Sequence, residues 1–485
     1  MKIILYIILI FVFLIQSCTS AKKKTMDNNS PFVISTPEQE GFDKELFDEV
    51  LCKIEKGDYG ALTSLIVISN EKLIEEHYYN GWTRDSVHSV QSISKSITSL
   101  LIGKALDLGK IHSLDEKITD IFPEYKIGNI DLRKDSLSIR HYLTMSAGFD
   151  WTEKFPSIDK RSSLYPLYRQ NVDYIRYFFN QPLVHQPGEV FEYNSGLTMT
   201  LGAILQRKTS MEVEDFADKY LFNPMDIKYV WHNSVIWESD VNGLAHCGGG
   251  LYLRPIDMAK IGSLVYHGGE WQGKQLISKN WIKESTSPII NAHNSKKYRE
   301  YGYQWWLYEP LFGLDTILYA DGYAGQNIFI IKQFNLIIVT TGELSLDATA
   351  SMPLMYDILA SNIECKQKII EFYEKVLSED YNIDQFKSEE LVSIAQNLVF
   401  YKEYKKAIDF LTKYSHAFEN NWYYEFYLGK AYFQNKDFTL AQKHLKKSLE
   451  NNSENVWYLK PYYDNANQMI NEIKKKARKH NRVDG

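Results

Sequence analysis

The sequence has few cysteines and little net charge. Of its four cysteines, three (Cys52, Cys247 and Cys365) lie beyond the N-terminal segment and far from one another. They form no CxxC pair and no Cys/His spacing, which disfavours a metal site. We therefore expect buried thiols, although an exported chain can also oxidise one pair of cysteines. A net charge of −6 over 485 residues disfavours a nucleic-acid-binding protein.

The composition is that of a folded protein with more than one domain. Hydrophobic residues make up 44% of the chain and aromatic residues 14%. That content is enough to build hydrophobic cores and differs from the composition of disordered proteins. A chain of 485 residues also exceeds the size of a typical single domain. We therefore expect two domains.

The N-terminus carries a short apolar run. Lys2 precedes an unbroken apolar stretch from Ile3 to Ile15, which Gln16, Ser17 and Cys18 follow. A stretch of this length is shorter than the roughly 20 residues that span a bilayer, and it suits an export signal. "IQSC" resembles the lipobox of bacterial lipoproteins, which implies cleavage before Cys18 and acylation of its thiol. The alternative is an uncleaved anchor helix. Residues 19–31 read as a polar tether.

Patterning along the next 330 residues indicates an α+β domain. "SLIVISNEKLIEEHYYNG" predicts a β-hairpin, and an amphipathic helix is predicted after Ser92, ending at Gly109. "YGYQWWLYEP" and "NIFIIKQFNLIIVTTG" return to a strand pattern, and "MPLMYDILASNIE" predicts a closing helix near residue 363. Strands at both ends with helices between them suggest one sheet built from both ends of the domain.

The pattern Ser-x-x-Lys is the first sign of chemistry. It occurs at Ser20, Ser69, Ser92 and Ser157, so the spacing alone is weak evidence. Only Ser92 lies at the predicted start of a helix, where Lys95 would share its face. The positive helix terminus stabilises an alkoxide, and a desolvated lysine can lose its charge and act as a base. The alternative is a serine-rich N-cap followed by an exposed lysine.

Six further blocks resemble a known family in order and spacing. They are "LSIRHYLTMSAGFDW" (137–151), "QPGEVFEYNSGLTMTLGAIL" (186–205), "YLFNPMDI" (220–227), "GGGLYLRPIDMAKIG" (248–262), "YGYQWW" (301–306) and "ADGYAGQNIFII" (320–331). Together with the Ser92 motif they resemble the β-lactamase-related serine hydrolases. That group includes class C β-lactamases, D-alanyl-D-alanine peptidases, esterases and 6-aminohexanoate-dimer hydrolases. The resemblance implies an antiparallel sheet flanked by helices, an all-helical subdomain, and no metal or organic cofactor.

The resemblance also implies roles for individual residues. Ser92 matches the nucleophile and Lys95 the lysine one turn later, while Tyr193 matches the tyrosine of the second motif. A phenol near cations can have its pKa lowered enough to act as the base that activates Ser92 or to protonate the leaving group. Lys95 and Tyr193 would then form one proton-transfer unit. The backbone N–H groups of Ser92 and Gln326 would form the oxyanion hole. The candidates for lining the cleft are Asn194, Ser195, His246, Tyr323 and Gly325.

Two departures from the family pattern bear on the substrate. The second motif reads Tyr-Asn-Ser, so Ser195 stands where β-lactamases carry asparagine. The third motif, on a strand beginning near Tyr323, reads Tyr-Ala-Gly instead of Lys-Thr-Gly. A neutral tyrosine cannot make the charge-assisted bond that attracts a substrate carboxylate. Both departures favour esters or amides over β-lactams, unless Arg254 or another cation compensates.

The C-terminal tail has an internal repeat. Four residue pairs stand 34 positions apart: Ala395 and Gly429, Leu398 and Tyr432, Ala407 and Ala441, and Leu411 and Leu445. This period, with small residues where helices touch, resembles tetratricopeptide repeats. The resemblance implies stacked helix pairs that bind a protein partner or brace the first domain. The alternative is a generic helical extension.

Together these observations predict an envelope-bound hydrolase. We expect a lipoprotein signal at 1–18, a tether at 19–31, a hydrolase domain at 32–363 and a helical domain at 366–480. The protein would be lipid-anchored at the bacterial cell envelope and would cleave an ester or amide through an acyl-enzyme on Ser92. One alternative is β-lactamase or D-Ala-D-Ala carboxypeptidase activity. The other is a catalytically silent module whose helical tail binds a partner.

Overall fold

The computed structural model describes the chain from residue 30 onward. The described ranges are 30–125, 131–153, 159–169, 172–231, 234–235, 238–239, 244–292, 299–308, 314–343, 351–377, 388–418, 421–451 and 460–480. The predicted signal with Cys18, and the tether up to residue 29, lie outside these ranges. No helix within them is both long and apolar enough to cross a bilayer.

The strands belong mainly to one large sheet. In chain order they are β1 (Val33–Ile34), β2 (Leu62–Ser69), β3 (Lys72–Tyr78), β4 (His88–Ser89), β5 (Tyr229–Trp231), β6 (Ser234–Val235), β7 (Glu238–Ser239), β8 (Leu251–Leu253), β9 (Glu270–Trp271), β10 (Lys274–Gln275), β11 (Ile290–Asn291), β12 (Arg299–Tyr301), β13 (Trp306–Tyr308), β14 (Ile317–Gly322), β15 (Gln326–Ile331) and β16 (Leu336–Gly342). Nine of them form the sheet β1-β3-β2-β16-β15-β14-β13-β12-β11. Its pairs are antiparallel except β1 with β3, so the predicted antiparallel sheet is mixed at one edge.

The helices cover the sheet, fill the middle of the chain and build the tail. They are α1 (Lys44–Glu55), α2 (Ile93–Asp107), α3 (Ile118–Ile121), α4 (Ile139–Leu143), α5 (Tyr165–Arg169), α6 (Tyr174–Phe179), α7 (Ser195–Thr209), α8 (Val213–Ala217), α9 (Pro255–Tyr266), α10 (Lys279–Ser285), α11 (Ser351–Ser361), α12 (Ile363–Leu377), α13 (Ser388–Phe400), α14 (Tyr404–Lys413), α15 (Trp422–Gln434), α16 (Phe438–Glu450) and α17 (Lys460–His480). The α+β class predicted from the sequence is confirmed.

Helices pack on both faces of the sheet. Gly262 of α9 lies against the side chains of Ile328 and Ile337. The ring of Tyr308 meets Tyr356 of α11, with ring centroids 6.2 Å apart. Strand alternation and the register of β13 to β15 place Tyr308 and Ile328 on opposite faces. Helix α11 also contacts α1, so the two ends of the domain cover one face together.

Helix α2 is more buried than its sequence predicts. The pattern suggests one apolar face, but polar residues such as Ser94, Thr98 and Ser99 are also buried. The reason is that α2 lies between other elements: α7 and α10 pack on it, and β14 and β15 lie beside it. The Ser94 and Thr98 hydroxyls donate to backbone carbonyls at 2.7 and 2.8 Å. As predicted, Gly109 ends the helix with a positive φ of 64°.

The tail is helical, as predicted, and packs as successive helix pairs. Helix α12 begins at Ile363, directly after Asn362, whose side chain accepts a bond from the Cys365 N–H at 3.0 Å. Helices α13 and α14 pack together, as do α15 and α16, and α17 follows. An ideal Cβ on Gly429 would lie 2.8 Å from Leu445 Cγ, so this glycine permits the close approach of α15 to α16. The repeat predicted from the spacing thus falls on two helix pairs.

The tail lies against the α1 side of the first domain. Lys402 pairs with Glu49 of α1 at 3.2 Å. Lys53, one turn further along α1, lies 4.5 Å from the centroid of the Phe400 ring. The helical region is therefore in direct contact with the sheet domain.

Candidate active site

Ser92 lies at a sharp turn between a strand and a helix. Strand β4 ends at Ser89, and Gln91 adopts a positive φ of 51°, which non-glycine residues rarely do. Ser92 follows as the N-cap of α2, but its side chain makes no N-cap hydrogen bond. The capping alternative for Ser92 is therefore wrong, because the hydroxyl is directed elsewhere.

The Ser92 hydroxyl faces Lys95. Lys95 Nζ lies 2.9 Å from Ser92 Oγ and donates to the Gly248 carbonyl at 2.6 Å. The Lys95 side chain is only 2% exposed. Burial lowers the pKa of Lys95 to about 8, although the Glu153 carboxylate partly opposes the shift. A substantial share of Lys95 is therefore neutral near pH 8 and able to take a proton.

Tyr193 completes the group, but with a different charge state from the predicted one. It forms a side-chain hydrogen bond with Ser92, and Lys95 Nζ lies 4.9 Å from the centroid of its ring. Burial, together with the neighbouring Tyr301 and Glu153, raises the pKa of Tyr193 well above its usual value. The expectation of a cation-lowered phenol pKa is wrong. Tyr193 is protonated near neutral pH and is a proton donor rather than the first base.

Glu153 is a residue of this site that sequence reasoning missed. Its carboxylate accepts bonds from the Ser195 N–H at 2.5 Å and from Ser195 Oγ at 2.9 Å. The Trp151 indole donates to it at 2.8 Å. Ser195 is therefore engaged with Glu153 at the position where β-lactamases carry asparagine. The only sequence signal was that Glu153 closely follows the block 137–151.

Two of the cleft candidates are buried structural residues. Asn194 is 2% exposed and caps α7, with its side-chain oxygen accepting from the Gly196 and Leu197 N–H groups at 3.0 and 3.4 Å. His246 is 1% exposed and lies beneath the Gly248–Gly250 turn. Burial and the charge of Lys95 lower the pKa of His246 to about 4, so it is neutral near pH 7. Asn194 therefore holds the start of α7, and His246 is a buried neighbour of Lys95.

The predicted third motif forms a turn and not the start of a strand. Tyr323, Ala324 and Gly325 connect β14 to β15, with positive φ angles at Ala324 (62°) and Gly325 (86°). Tyr323 is 63% exposed at the turn. Gly322, just before it, makes the close approach to the Ser92 turn, because an ideal Cβ there would lie 2.4 Å from the Val90 carbonyl oxygen. A side chain at residue 322 would displace this edge of the sheet from the Ser92 turn.

The backbone donors near this edge bear on the predicted oxyanion hole. Gln326 is the first residue of β15, which has strands on both sides, and its side-chain amide donates to the Gly342 carbonyl at 2.7 Å. Within the described ranges, neither Ser92 N–H nor Tyr323 N–H makes a backbone hydrogen bond outside the regular elements. The structure thus leaves Ser92 and Tyr323 with available donors, whereas Gln326 lies within the sheet.

Aromatic and cationic neighbours complete the surroundings. Trp306 stacks on Tyr193, with ring centroids 5.7 Å apart and planes at 21°, whereas Trp305 is fully buried. Arg254 is bound to the Asp257 carboxylate at 2.6 and 2.9 Å. Because its guanidinium is committed to that carboxylate, Arg254 is poorly placed to replace the missing third-motif lysine.

Comparisons with known proteins agree with this architecture. The beta-lactamase family profile matches residues 59–343. The chain is 23% identical over 290 residues to the 6-aminohexanoate-dimer hydrolase of Paenarthrobacter ureafaciens, covering 57% of this chain and 71% of that protein. The structure of EstCE1, described as a hydrolase with promiscuous acyltransferase activity, is similar with a TM-score of 0.54 at 14% identity, over 66% of this chain and 98% of that one.

A penicillin-binding protein homologue from Caulobacter crescentus has the same fold. Its TM-score is 0.52 at 14% identity, over 67% of this chain and 98% of that one. At such identities the structural likeness shows the fold alone. The family profile covers more than half of the chain, and the chain therefore belongs to the beta-lactamase family. Its fold is the β-lactamase/transpeptidase type, and its relatives are for the most part serine hydrolases.

Proposed function

We propose that the protein is a serine hydrolase that cleaves an ester or amide bond through an acyl-enzyme on Ser92. The observation that carries this proposal is the 2.9 Å contact between Ser92 Oγ and the buried amine of Lys95. Burial lowers the pKa of Lys95 to about 8, which gives the nucleophile a base on its own helix.

The proton path follows from the protonation states of Lys95 and Tyr193. Neutral Lys95 takes the proton of Ser92 as the hydroxyl attacks the substrate carbonyl. Tyr193, which stays protonated, donates its proton to the leaving oxygen or nitrogen and is reprotonated by Lys95. Water then attacks the acyl carbonyl, and a base of the same unit accepts the water proton. That proton passes to Ser92 Oγ as the bond between Oγ and the acyl carbon breaks and the acid departs. Each step conserves protons within Ser92, Lys95, Tyr193 and water.

The oxyanion formed in these steps needs backbone donors. Ser92 N–H is one, at the positive end of α2. For the second we propose Tyr323 N–H, because Gly322 brings this edge of β14 against the Ser92 turn and Tyr323 N–H has no described backbone partner. Gln326 N–H, inferred from the family resemblance, remains the alternative.

An ester or amide without a carboxylate next to the scissile bond fits this site best. Tyr323 replaces the third-motif lysine, Arg254 is bound to Asp257, and Ser195 is bound to Glu153. At the third-motif position a β-lactam carboxylate would therefore meet a tyrosine where the family carries a lysine. Esterases and aminohexanoate-type hydrolases in the family act on substrates of the favoured kind.

Hydrolysis assays on matched variants test the proposal. Wild type, Ser92→Ala and Ser99→Ala would be assayed with p-nitrophenyl esters, anilides and nitrocefin, and labelled with a fluorophosphonate. Ser99 is a matched control because its buried hydroxyl lies on the same helix and makes no hydrogen bond in the described structure. We expect ester or amide cleavage and labelling in wild type and Ser99→Ala only.

Two other outcomes would replace this proposal. Nitrocefin turnover or stable labelling by a fluorescent penicillin, without ester cleavage, would assign β-lactam or cell-wall peptide chemistry. Absence of turnover and of labelling in wild type would indicate the silent binding module.

For the other parts of the chain we propose an anchor and a brace. Acylated Cys18 would hold the protein at the bacterial envelope through the tether at 19–31. The tetratricopeptide-like helices at 366–480 would brace the hydrolase domain, which the contacts of Lys402 and Phe400 with α1 support, and would leave other surfaces for a protein partner.

A further inference from the structure

Among the described residues, strand β14 has an unpaired edge where it passes the Ser92 turn. Its pairing with β13 ends at Tyr319, opposite Trp306, whereas its pairing with β15 continues to Gly322. On the β13 side, residues 320–323 therefore lie beyond the ladder. Because Gly322 closely approaches the Val90 carbonyl, this unpaired edge is part of the Ser92 cleft.

Asp321 is the charged side chain of this edge. Strand alternation places it on the same face as Tyr319, whose ring stacks on Trp306 with centroids 6.4 Å apart. Trp306 in turn stacks on Tyr193. After burial and Tyr301, the charges of Glu153 and Asp321 are among the causes that raise the pKa of Tyr193. The Asp321 carboxylate is therefore within electrostatic reach of the proposed catalytic phenol.

A buried amide fixes Asp321 and is itself incompletely bonded. Asn327 Nδ2 donates to Asp321 Oδ1 at 2.8 Å, and Asn327 is 1% exposed. Its side-chain oxygen makes no hydrogen bond in the described structure, although buried acceptors normally have a donor. Asp321 is partly exposed, and none of the described ion pairs includes it. Asp321 Oδ2 and Asn327 Oδ1 thus have no hydrogen-bond donor among the described residues.

We propose that Asp321, oriented by Asn327, is a specificity-determining residue that binds a primary ammonium group of the substrate. This inference rests on the proposed hydrolase function. An ammonium group carries three donors and a positive charge, so it satisfies a carboxylate oxygen and a neighbouring amide oxygen together. A substrate carboxylate at the same point would be repelled. The edge that carries a cationic motif in β-lactamases would thereby select a cation in this protein.

Binding of three matched amides to the full chain tests this site. The amides are N-acetyl-1,5-diaminopentane, N-hexylacetamide and N-acetyl-6-aminohexanoate, which differ only in an ammonium, methyl or carboxylate end. Titration calorimetry on Ser92→Ala measures binding without turnover. We expect the ammonium amide to bind tightest, and Asp321→Asn to weaken it by about tenfold or more, the size of a charged hydrogen bond. The affinity for N-hexylacetamide should change by less than about twofold in Asp321→Asn.

Two further variants keep the test independent of folding. Asp321→Lys should reverse the order, so that the carboxylate amide binds tightest. Asp315→Asn, an exposed residue before the same strand, should change none of the three affinities. Equal binding of all three amides to Ser92→Ala, or an equal loss for all three in Asp321→Asn, would overturn the inference.

A separate readout distinguishes this inference from the proposed function. Hydrolysis of p-nitrophenyl acetate by wild type, compared with Ser92→Ala, reports the chemistry alone. Ammonium selectivity without hydrolysis would refute the hydrolase proposal and support the cation site. Hydrolysis without charge selectivity would support the hydrolase and refute the site.

Discussion

Two Ser-x-x-Lys segments in the same domain differ in whether the serine and lysine side chains meet. Ser69 is the last residue of β2 and is buried, while Lys72, at the start of β3, points to Glu40 with Nζ 2.7 Å from its carboxylate. Ser92 begins α2, and Lys95 lies buried against it. Three residues of spacing bring the two side chains together on a helix but send them apart across a hairpin. The backbone conformation, and not the motif, creates the reactive pair.

The surroundings of the two lysines also differ. Lys72 is half-exposed, and its Nζ lies 2.7 Å from the Glu40 carboxylate. Lys95 is fully enclosed and bonded to a neutral carbonyl and a hydroxyl, so burial lowers its pKa. Near pH 8, Lys95 therefore has a neutral fraction that can act as a base.

The largest expected difference is between the two serines. Ser92→Ala should lower kcat/KM for the best ester by roughly 10⁴-fold or more, because the nucleophile is lost. Ser69→Ala should leave kcat/KM unchanged, since the Ser69 hydroxyl makes no hydrogen bond in the described structure. Steady-state kinetics on both purified variants measures this, and equal losses would contradict the contrast.

Substituting the two lysines should give a smaller difference in activity than substituting the two serines. Lys95→Met keeps the volume but removes the amine, and it should lower kcat by roughly 10² to 10⁴-fold, the usual contribution of a general base. Lys72→Met is the matched control and should keep wild-type kcat. A Lys95→Met enzyme that retained full activity would exclude Lys95 as the base.

The pH profile reports the same base. Lys95 is active when neutral, so the acylation rate should rise with pH through about 8 and level off above it. Because the Glu153 carboxylate raises the pKa of Lys95, Glu153→Gln should shift this rise in the acylation rate to lower pH. Stopped-flow acylation between pH 6 and 10 measures both. If the rise in rate stays at the same pH in Glu153→Gln, or shifts to higher pH, the coupling between Glu153 and Lys95 is contradicted.

The smallest effect concerns the stability that the Ser69–Lys72 segment contributes to the fold. The bond from Lys72 lowers the pKa of Glu40, so this pair stabilises the fold above the unfolded pKa of the carboxyl group, and the stability is lost as pH falls through the folded value. Lys72→Met should cost about 1 kcal/mol at pH 7 and less at pH 3. Urea unfolding at both pH values tests it; an equal cost at pH 3 would contradict the linkage.

The sequence predicted the fold class and the central trio because each depends on local patterns. Hydrophobic periodicity identified the hairpin, α2 and the helical tail, and the six blocks identified the family. The side chains of Ser92 and Lys95 were predictable because both lie on one helix turn. Tyr193 was predictable only through the family motif, since its position depends on how α7 packs on α2.

Other features depended on tertiary contacts that local patterns do not encode. Glu153 reaches Ser195 across a gap of 42 residues in the chain. Tyr323 has a strand-like sequence context, but positive φ angles at the two following residues turn the chain there. The expected low pKa of Tyr193 was wrong because burial, Tyr301 and the Glu153 carboxylate raise it. Docking of the tail on α1 was also beyond sequence reasoning, since it depends on surface complementarity.

The most direct test of the central claim is to trap the acyl-enzyme. Wild type, Ser92→Ala and Lys95→Met would be quenched in acid seconds after mixing with an activated p-nitrophenyl ester, digested and mapped by mass spectrometry. The account predicts one acyl adduct on the Ser92 hydroxyl in wild type, strongly reduced in Lys95→Met and absent in Ser92→Ala. An adduct on a different residue, or undiminished ester turnover by Ser92→Ala, would contradict it.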